Sequence, residues 1–408
     1  MANIRPFCAV RPEETLVEKI AALPYDVYNR KEAREEVKKN PQSFLKVDRP
    51  ETLLNEDIDI YSHEVYEKAA CTLHEMVDNH EFVQDATPDY YLYELTMNGR
   101  SQTGIVGCAA IDDYLNNVIM KHENTRSDKE EDRTNHIDVC NAQTGPIFLT
   151  YRSNVIIQEV VNKTKEETPL YDFVAEDGIS HRVWKISDAE DIAVIRKTFG
   201  GIDQIYIADG HHRAASAVKI GLKRRAEHPD YTGEEEFNYF LSVLFPSDEL
   251  HVMDYNRVVL DLNGYTVEQF HEKMGEAFEI ERYGEEPYAP EAKGMFGMYL
   301  GGFWYKVQAK QVEDTDPVRS LDVSILQEKV LRPILGIEDP KTDQRIKFVG
   351  GIRGLKELEK DSADGVAFSM YPTAIEELLA VSDAGMLMPP KSTWFEPKLR
   401  SGLFIHQI

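Results

Sequence analysis

Four consecutive apolar or aromatic residues, Ile205-Tyr206-Ile207-Ala208, run into Asp209-Gly210, and the residues beyond that break repeat apolar positions with helical spacing. A short apolar run, a turn pair and a 3.6-residue period read as strand, tight turn and helix. Together with the strand-like and helical stretches around it, this order predicts β-α-β units and a mixed sheet. His211, His212 and Arg213 open the helix, and the small side chains Ala214, Ala215, Ala217 and Val218 after them let it pack closely on a sheet.

The first N–H groups of a helix lack internal partners and carry partial positive charge, so an anion placed there gains several hydrogen bonds at once. Gly210 lets the backbone turn and approach a ligand. Arg213 offers two parallel donors to phosphate oxygens, and His211 and His212 can donate further bonds or pass protons. Cations in the first turn oppose the helix dipole by about 0.3–1 kcal/mol each. A bound anion reverses that penalty, which favours a ligand site over a plain helix start with surface histidines. Zinc is an alternative for the histidines. Against it, sequence neighbours on a helix point about 100° apart, and no His-Glu-x-x-His or cysteine partner stands nearby.

The 408 residues allow two to four domains. The soft divisions are a helical segment over 1–88, an α/β core over 89–250 carrying the phosphate turn, and a second α/β lobe over 251–408 with a Pro-Lys loop that returns to the site. With 46 basic and 72 acidic residues the net charge is −26. Such a chain repels nucleic acid and anionic membranes, so the expected partner is a small anionic molecule held in a local basic patch. Cys8, Cys71, Cys108 and Cys140 form no Cys-x-x-Cys pair, which suits reduced, inert thiols in a cytoplasm. No apolar signal core opens the chain and no run is long enough to span a membrane. Oligomeric state has no signature.

Local signals predict a short helix over 13–22, a second capped by Asn29 and stopped at Asn40-Pro41, and a third from about Asp59 to about His80. Asn98-Gly99 marks a hairpin whose return strand runs through Gly104–Ile111. Lys121 to Asn141 reads as a long charged loop. Strands at Ile147–Tyr151 and Phe237–Phe245 flank a helix over Asp188–Thr198 and the strand–turn–helix itself. Beyond Tyr255 come a Gly301-Gly302 hairpin, a helix over Val323–Leu335 and a strand at Val366–Tyr371.

The pattern Ile-x-x-Ala-Asp-Gly-His-His-Arg-x-x-x-Ala, starting at Ile205, resembles the signature of the domain-of-unknown-function 1015 family. Other family-like segments are Leu23–Val27 with Asn40-Pro41, Lys121–Thr125 with Lys129 and Asp132-Arg133, Leu321–Val323, and Met388–Lys398, so the likeness spans nearly the whole chain. More remotely, the Asp-Gly-His-His-Arg turn resembles the ligand-binding turn of the ParB/sulfiredoxin superfamily, which includes nucleotide switches, sulfiredoxins and free-serine kinases. That resemblance implies a ParB/sulfiredoxin-like core whose turn holds nucleotide phosphates.

Further candidates surround this expectation. Glu123 can serve as a general base or a metal ligand, and His122 can donate to phosphate. Thr125 lies two residues on, and Lys129 and Arg133, four apart, can share a helical face with Asp132 beside them. Pro389 and Pro390 stiffen the chain before Lys391, Ser392 and Thr393, and Pro397 precedes Lys398, which suits a rigid anion-binding loop. Asp26 and Arg30 either line the cleft or pair with each other, and Arg257 is a weaker cation. The leading expectation is phosphoryl transfer from a nucleotide or pyrophosphate to a small hydroxylated metabolite, with free serine one candidate. Gly210, His211, His212, Arg213, Lys391 and Lys398 would bind phosphate or carboxylate, Asp209 would hold Mg²⁺, and Glu123 would be the base, with His211 and His212 assisting. Asp26, His122, Thr125, Arg133, Ser392 and Thr393 would contact the substrate. No Walker or kinase-type glycine loop is present. A nucleotide-binding switch and a phosphatase or other hydrolase are the alternatives.

Overall fold

In the computed structural model, which describes residues 1–311, 315–362 and 364–408, the apolar run becomes the strand Ile205–Asp209 and the helix after it spans His211–Glu227. Two compact units divide the chain, Met1–Leu250 with Pro397–Ile408 and His251–Glu396.

The first unit is built on a nine-stranded mixed sheet of β1 (Ile4–Arg5), β2 (Tyr90–Met97), β3 (Arg100–Ala110), β4 (Ile119–Met120), β5 (Ile147–Tyr151), β6 (Tyr171–Val174), β7 (Ser180–Ile186), β8 (Ile205–Asp209) and β9 (Tyr239–Pro246). Eight run in the order β4-β8-β5-β9-β3-β2-β7-β6, with β1 alongside β3. β8 lies parallel to β4 and antiparallel to β5, and β5 lies parallel to β9. The Asn98-Gly99 hairpin joins β2 to β3 with Asn98 and Gly99 both at positive φ, the conformation such turns require.

The longer helices that accompany this sheet are α1 (Arg30–Lys39), α2 (His63–Asp78), α3 (Ser127–Cys140), α4 (Val155–Lys165), α5 (Ala189–Phe199) and α6 (His211–Glu227), beside short ones at Val17–Ile20, Leu45–Asp48 and Ile111–Leu115. Asn29 accepts from the N–H groups of Lys31 and Glu32 and forms a capping box, which is why α1 starts where the sequence places it. α6 packs closely because its inward positions are Ala214, Ala215, Ser216 and Ala217, and a Cβ at Gly221 would come within 2.6 Å of both Phe237 and Ile111.

The segment read as a charged loop is largely α3. Its pattern is not amphipathic because the face it buries is polar: Asp132, Arg133 and His136 are buried beside Ile137 and Cys140. Those groups find partners in other elements, which a periodicity of apolar residues cannot report.

The second unit carries a six-stranded sheet of β10 (Tyr255–Val259), β11 (Phe278–Gly284), β12 (Met295–Leu300), β13 (Phe303–Ala309), β14 (Ile346–Gly350) and β15 (Val366–Met370), ordered β11-β13-β12-β15-β10-β14. Its longest helices are α7 (Val267–Ala277) and α8 (Ile375–Asp383). The helix expected over Val323–Leu335 is a short α-helical stretch, Asp322–Leu326, continued by a wider π turn over Gln327–Leu331. Among the described residues no helix is long and apolar enough to cross a membrane.

Candidate functional site

Parallel pairing of the two-residue strand β4 with β8 sets Ile119 beside Ile205 and Met120 beside Tyr206. Both strands therefore leave the sheet at the same edge. The residues that follow them, Lys121–Asn124 and Asp209–Arg213, emerge side by side although they are far apart in the chain. Gly210 makes the turn at φ +93°, left-handed backbone that favours glycine, and serves as N-cap of α6. A Cβ there would lie 3.1 Å from Nε and Nη2 of Arg213, so glycine is also needed for the guanidinium to fold back over the turn.

Arg213 donates from Nη1 to the Pro146 carbonyl, and among the described residues no carboxylate lies within ion-pair distance of it. It lines a cavity of about 30 Å³ with Tyr25, Asp48, Arg133, Thr144 and Ser401. That volume admits one or two waters, so a phosphate chain would have to lie across the mouth, along the helix start. Asp209 is held on both oxygens: Lys398 Nζ donates to Oδ2 at 3.0 Å and the Gly210 N–H to Oδ1 at 2.7 Å. Burial alone would raise the Asp209 carboxyl, but Lys398, Arg213 and the Gly210 N–H together hold it well below the usual carboxylate range.

His211 and His122 are buried, their ring centroids 4.5 Å apart and their planes perpendicular. Ligand atoms of His122, half-buried Glu123 and His211 all lie within 4.8 Å of one another. Burial pushes the His122 imidazole down to about 4 and, with the neighbouring His122, His211 well below its ordinary value, so both rings are neutral at pH 7. His212 faces the other way along the helix start: its Nε2 accepts the Arg126 backbone N–H at 3.0 Å.

Arg133 stacks 4.2 Å over the Tyr25 ring and donates from Nε to Asp132 at 3.1 Å. Burial opposes its charge, but Asp132, Tyr25 and Asp48 hold it on and push its pKa up. Arg133 also lines a second cavity, of about 70 Å³, with Lys129, Asp132 and Tyr61. Thr125 donates to Glu130 at 2.7 Å, and Glu130 in turn holds Lys219. Asp26 is exposed, and Arg30 donates to the Ile58 carbonyl at 3.0 Å, so the two form no local pair.

Lys391, Ser392 and Thr393 belong to the second unit. Lys391 sits at φ +59° with its carbonyl accepting from Arg257 at 2.9 Å, and its Nζ lies 5.7 Å from the Tyr255 ring centre. Ser392 donates to the Pro389 carbonyl at 2.6 Å and accepts from Thr373 at 2.9 Å through its own carbonyl. Arg257 is buried there, and burial lowers it to about 10.

Tyr25, Asp48, His136 and Thr144 had not been singled out as site residues. Thr144 donates to Asp48 at 2.8 Å, and His136 Nε2 lies 2.9 Å from the Val47 carbonyl. His136 had a usable signal. Once 127–140 is taken as a helix, Lys129, Arg133, His136 and Cys140 recur on one face at three- and four-residue spacing. Asp48 and Thr144 had none.

The family model described as "Protein of unknown function (DUF1015)" matches residues 4–324, and the chain belongs to that family. No curated protein matches the sequence. Among solved structures, a free serine kinase variant in complex with AMP is 14% identical, with a TM-score of 0.36 over 74% of this chain and 92% of its own. A conserved hypothetical protein from Pyrococcus furiosus is 14% identical, with a TM-score of 0.36 over 74% and 94%. A C-terminally truncated SbnI from Staphylococcus aureus is 12% identical, with a TM-score of 0.38 over 74% and 87%. At TM-scores below 0.5 these likenesses carry no argument about this chain.

Proposed function

We propose that this chain binds the phosphates of a nucleotide or of pyrophosphate across the start of α6 and transfers a phosphoryl group to a small hydroxylated metabolite. The observation that carries this reading is the Asp209–Arg213 turn: a glycine N-cap, an arginine folded over it with no carboxylate within ion-pair distance among the described residues, and Lys398 fixed beside it. Helix-start N–H groups and two cations converge there, and Lys398 answers the charge of Asp209. Glu123, half-buried at the same edge, is the carboxylate this reading assigns to an acceptor hydroxyl, directly or through an ion it helps to hold. Arg133 and Lys129 add positive charge in the adjoining cavities.

Phosphoryl transfer commonly uses Mg²⁺ to neutralise the transferring group. Each oxygen of Asp209 accepts a hydrogen bond, from Lys398 and from the Gly210 N–H; its role in this reading is to anchor Lys398.

The test is calorimetric titration of pyrophosphate and ADP into wild type, Arg213→Ala and Arg213→Lys, beside thermal melts. Arg213→Ala loses one hydrogen bond to Pro146, worth about 1 kcal/mol of stability. It should lose at least tenfold in affinity, from about 1.5–3 kcal/mol for each charge-assisted bond. Arg213→Lys restores part, since an ammonium lacks the planar fork. Equal affinities in all three proteins would remove the phosphate site. New phosphometabolites on incubation with donor and a metabolite pool support transfer, and release of phosphate alone makes the chain a hydrolase.

A further inference from the structure

We infer that His122, Glu123 and His211 form a binding site for one transition-metal dication of the zinc class. Two imidazoles and a carboxylate are a donor set for Zn²⁺, Co²⁺ or Fe²⁺, whereas Mg²⁺ takes oxygen ligands. The three ligand atoms already lie within 4.8 Å of one another. Bonds of about 2.0–2.1 Å to a tetrahedral ion put ligands roughly 3.4 Å apart, so the side chains need to close by about an ångström.

The independent observation is unsatisfied polarity. Both ring nitrogens of His122, which is 2% exposed, and Nε2 of His211, which is 6% exposed, have no hydrogen-bond partner. Buried imidazole nitrogens are nearly always satisfied, and three orphans on two neighbouring rings need an explanation. A metal ion supplies it. The Ile207 carbonyl approaches the His122 ring without reaching hydrogen-bond geometry, and such a carbonyl is the usual acceptor for the second N–H of a ligating histidine.

The topology explains how the set is assembled. His122 and Glu123 follow β4, His211 follows β8, and the parallel pairing of those strands delivers them to one edge. An ion there sits at the turn that Gly210 and Arg213 form. Its use would be to polarise a phosphoryl oxygen, with Glu123 as a ligand instead of a base; that use rests on the proposed function, while the site itself does not.

The experiment strips the full-length protein with a chelator and titrates it with Co²⁺ in the absence of nucleotide and phosphate. Visible absorption and proton NMR are recorded, and Zn²⁺ is used in competition. The expected result is one ion per chain, displaced by Zn²⁺, with two exchangeable, paramagnetically shifted imidazole N–H signals in the wild-type protein. Glu123→Gln and His211→Gln should each weaken Co²⁺ binding at least tenfold. The NMR count needs no variant, so a misfolded His211→Gln leaves the test intact. Failure to bind one equivalent, no shifted imidazole signals, or unchanged affinity in a folded Glu123→Gln overturns the site. Pyrophosphate titration of the stripped protein separates the two ideas. Pyrophosphate binding without metal binding sinks the metal site alone, and metal binding without pyrophosphate binding sinks the phosphate reading alone.

Discussion

Gly210 carries two demands at one position, a backbone at φ +93° and room for the Arg213 guanidinium. Gly210→Ala should therefore cost about 1–2 kcal/mol for left-handed backbone and also displace Arg213. Gly178, at φ +79° with nothing near its absent Cβ, is the control. Gly178→Ala should show a comparable loss in melting temperature with unchanged pyrophosphate affinity, and Gly210→Ala should lose both. Unchanged affinity in Gly210→Ala would separate the glycine from the ligand. His181 makes a different single-residue statement. It is buried between Phe173 and Tyr93, with Nδ1 2.8 Å from the Tyr93 hydroxyl and Arg400 donating to Nε2 at 3.2 Å. Accepting at Nε2 places its proton on Nδ1. Burial, with the Arg400 charge, lowers it to about 3 from an ordinary 6.5. A histidine depressed in the folded state takes up its proton first in the unfolded chain, so its contribution is complete above pH 6.5 and declines as pH falls toward 3. In urea unfolding across that window, His181→Gln should flatten the pH dependence by up to about 1.4 kcal/mol per pH unit. An identical slope would mean that His181 is already charged in the fold.

α3 shows what a helix looks like when its inward face is charged. Arg133 is 7% and Asp132 9% exposed, and Asp132 accepts from both Arg133 and, at 3.1 Å, the Tyr66 hydroxyl. Removing one partner of a buried pair strands the other, a loss of about 3–5 kcal/mol, whereas removing both is far milder. Arg133→Met should thus lose that much stability in urea, and Asp132→Asn with Arg133→Met should regain a good part of it. A loss below about 1 kcal/mol for Arg133→Met would mark the pair as solvent-screened. The contrast with α1 and α6 is instructive. α1 begins at an asparagine capping box and α6 begins after glycine with alanines inward, so both ends and both faces are written in neighbouring residues. The ends of α3 lie in Arg126 and in Asn141 at φ +49°, and its buried face needs Tyr25, Asp48 and Tyr66 to make sense.

At the scale of the whole chain, the first unit is completed by its last twelve residues. Leu403, Phe404 and Ile405 are at most 1% exposed, and the Ile405 N–H and carbonyl both bond to Val10. Ending the chain at Glu396 removes those side chains and Lys398 together. The truncated protein should lose its cooperative melt, since several buried apolar side chains are deleted at once. The fragment 251–396 holds a six-stranded sheet with its own apolar cluster around Val258, Trp304 and Ala367. It should express as a folded domain with a sharp transition by circular dichroism. A fragment that melts without cooperativity would show that the second unit depends on the first.

The sequence by itself determined the strand–glycine–helix at Ile205–Glu227, the Asn29 start of α1, the Asn98-Gly99 hairpin, the alternation that makes the fold α/β with mixed sheets, and membership of the family. Each of these rests on capping, turn chemistry or periodicity within some fifteen neighbouring residues, where the energetic preference is local. Only the tertiary structure decided that β4 lies parallel to β8, which sets His122 against His211, and that Lys398 reaches Asp209 across 189 positions of chain. It alone exposed the polar inner face of α3 and the Asp48–Thr144 contact. A two-residue strand has no period to read, and an ion pair between distant residues leaves no mark on the residues around either partner. Such contacts exist because the sheet order brings them together, and that order is a property of the whole core.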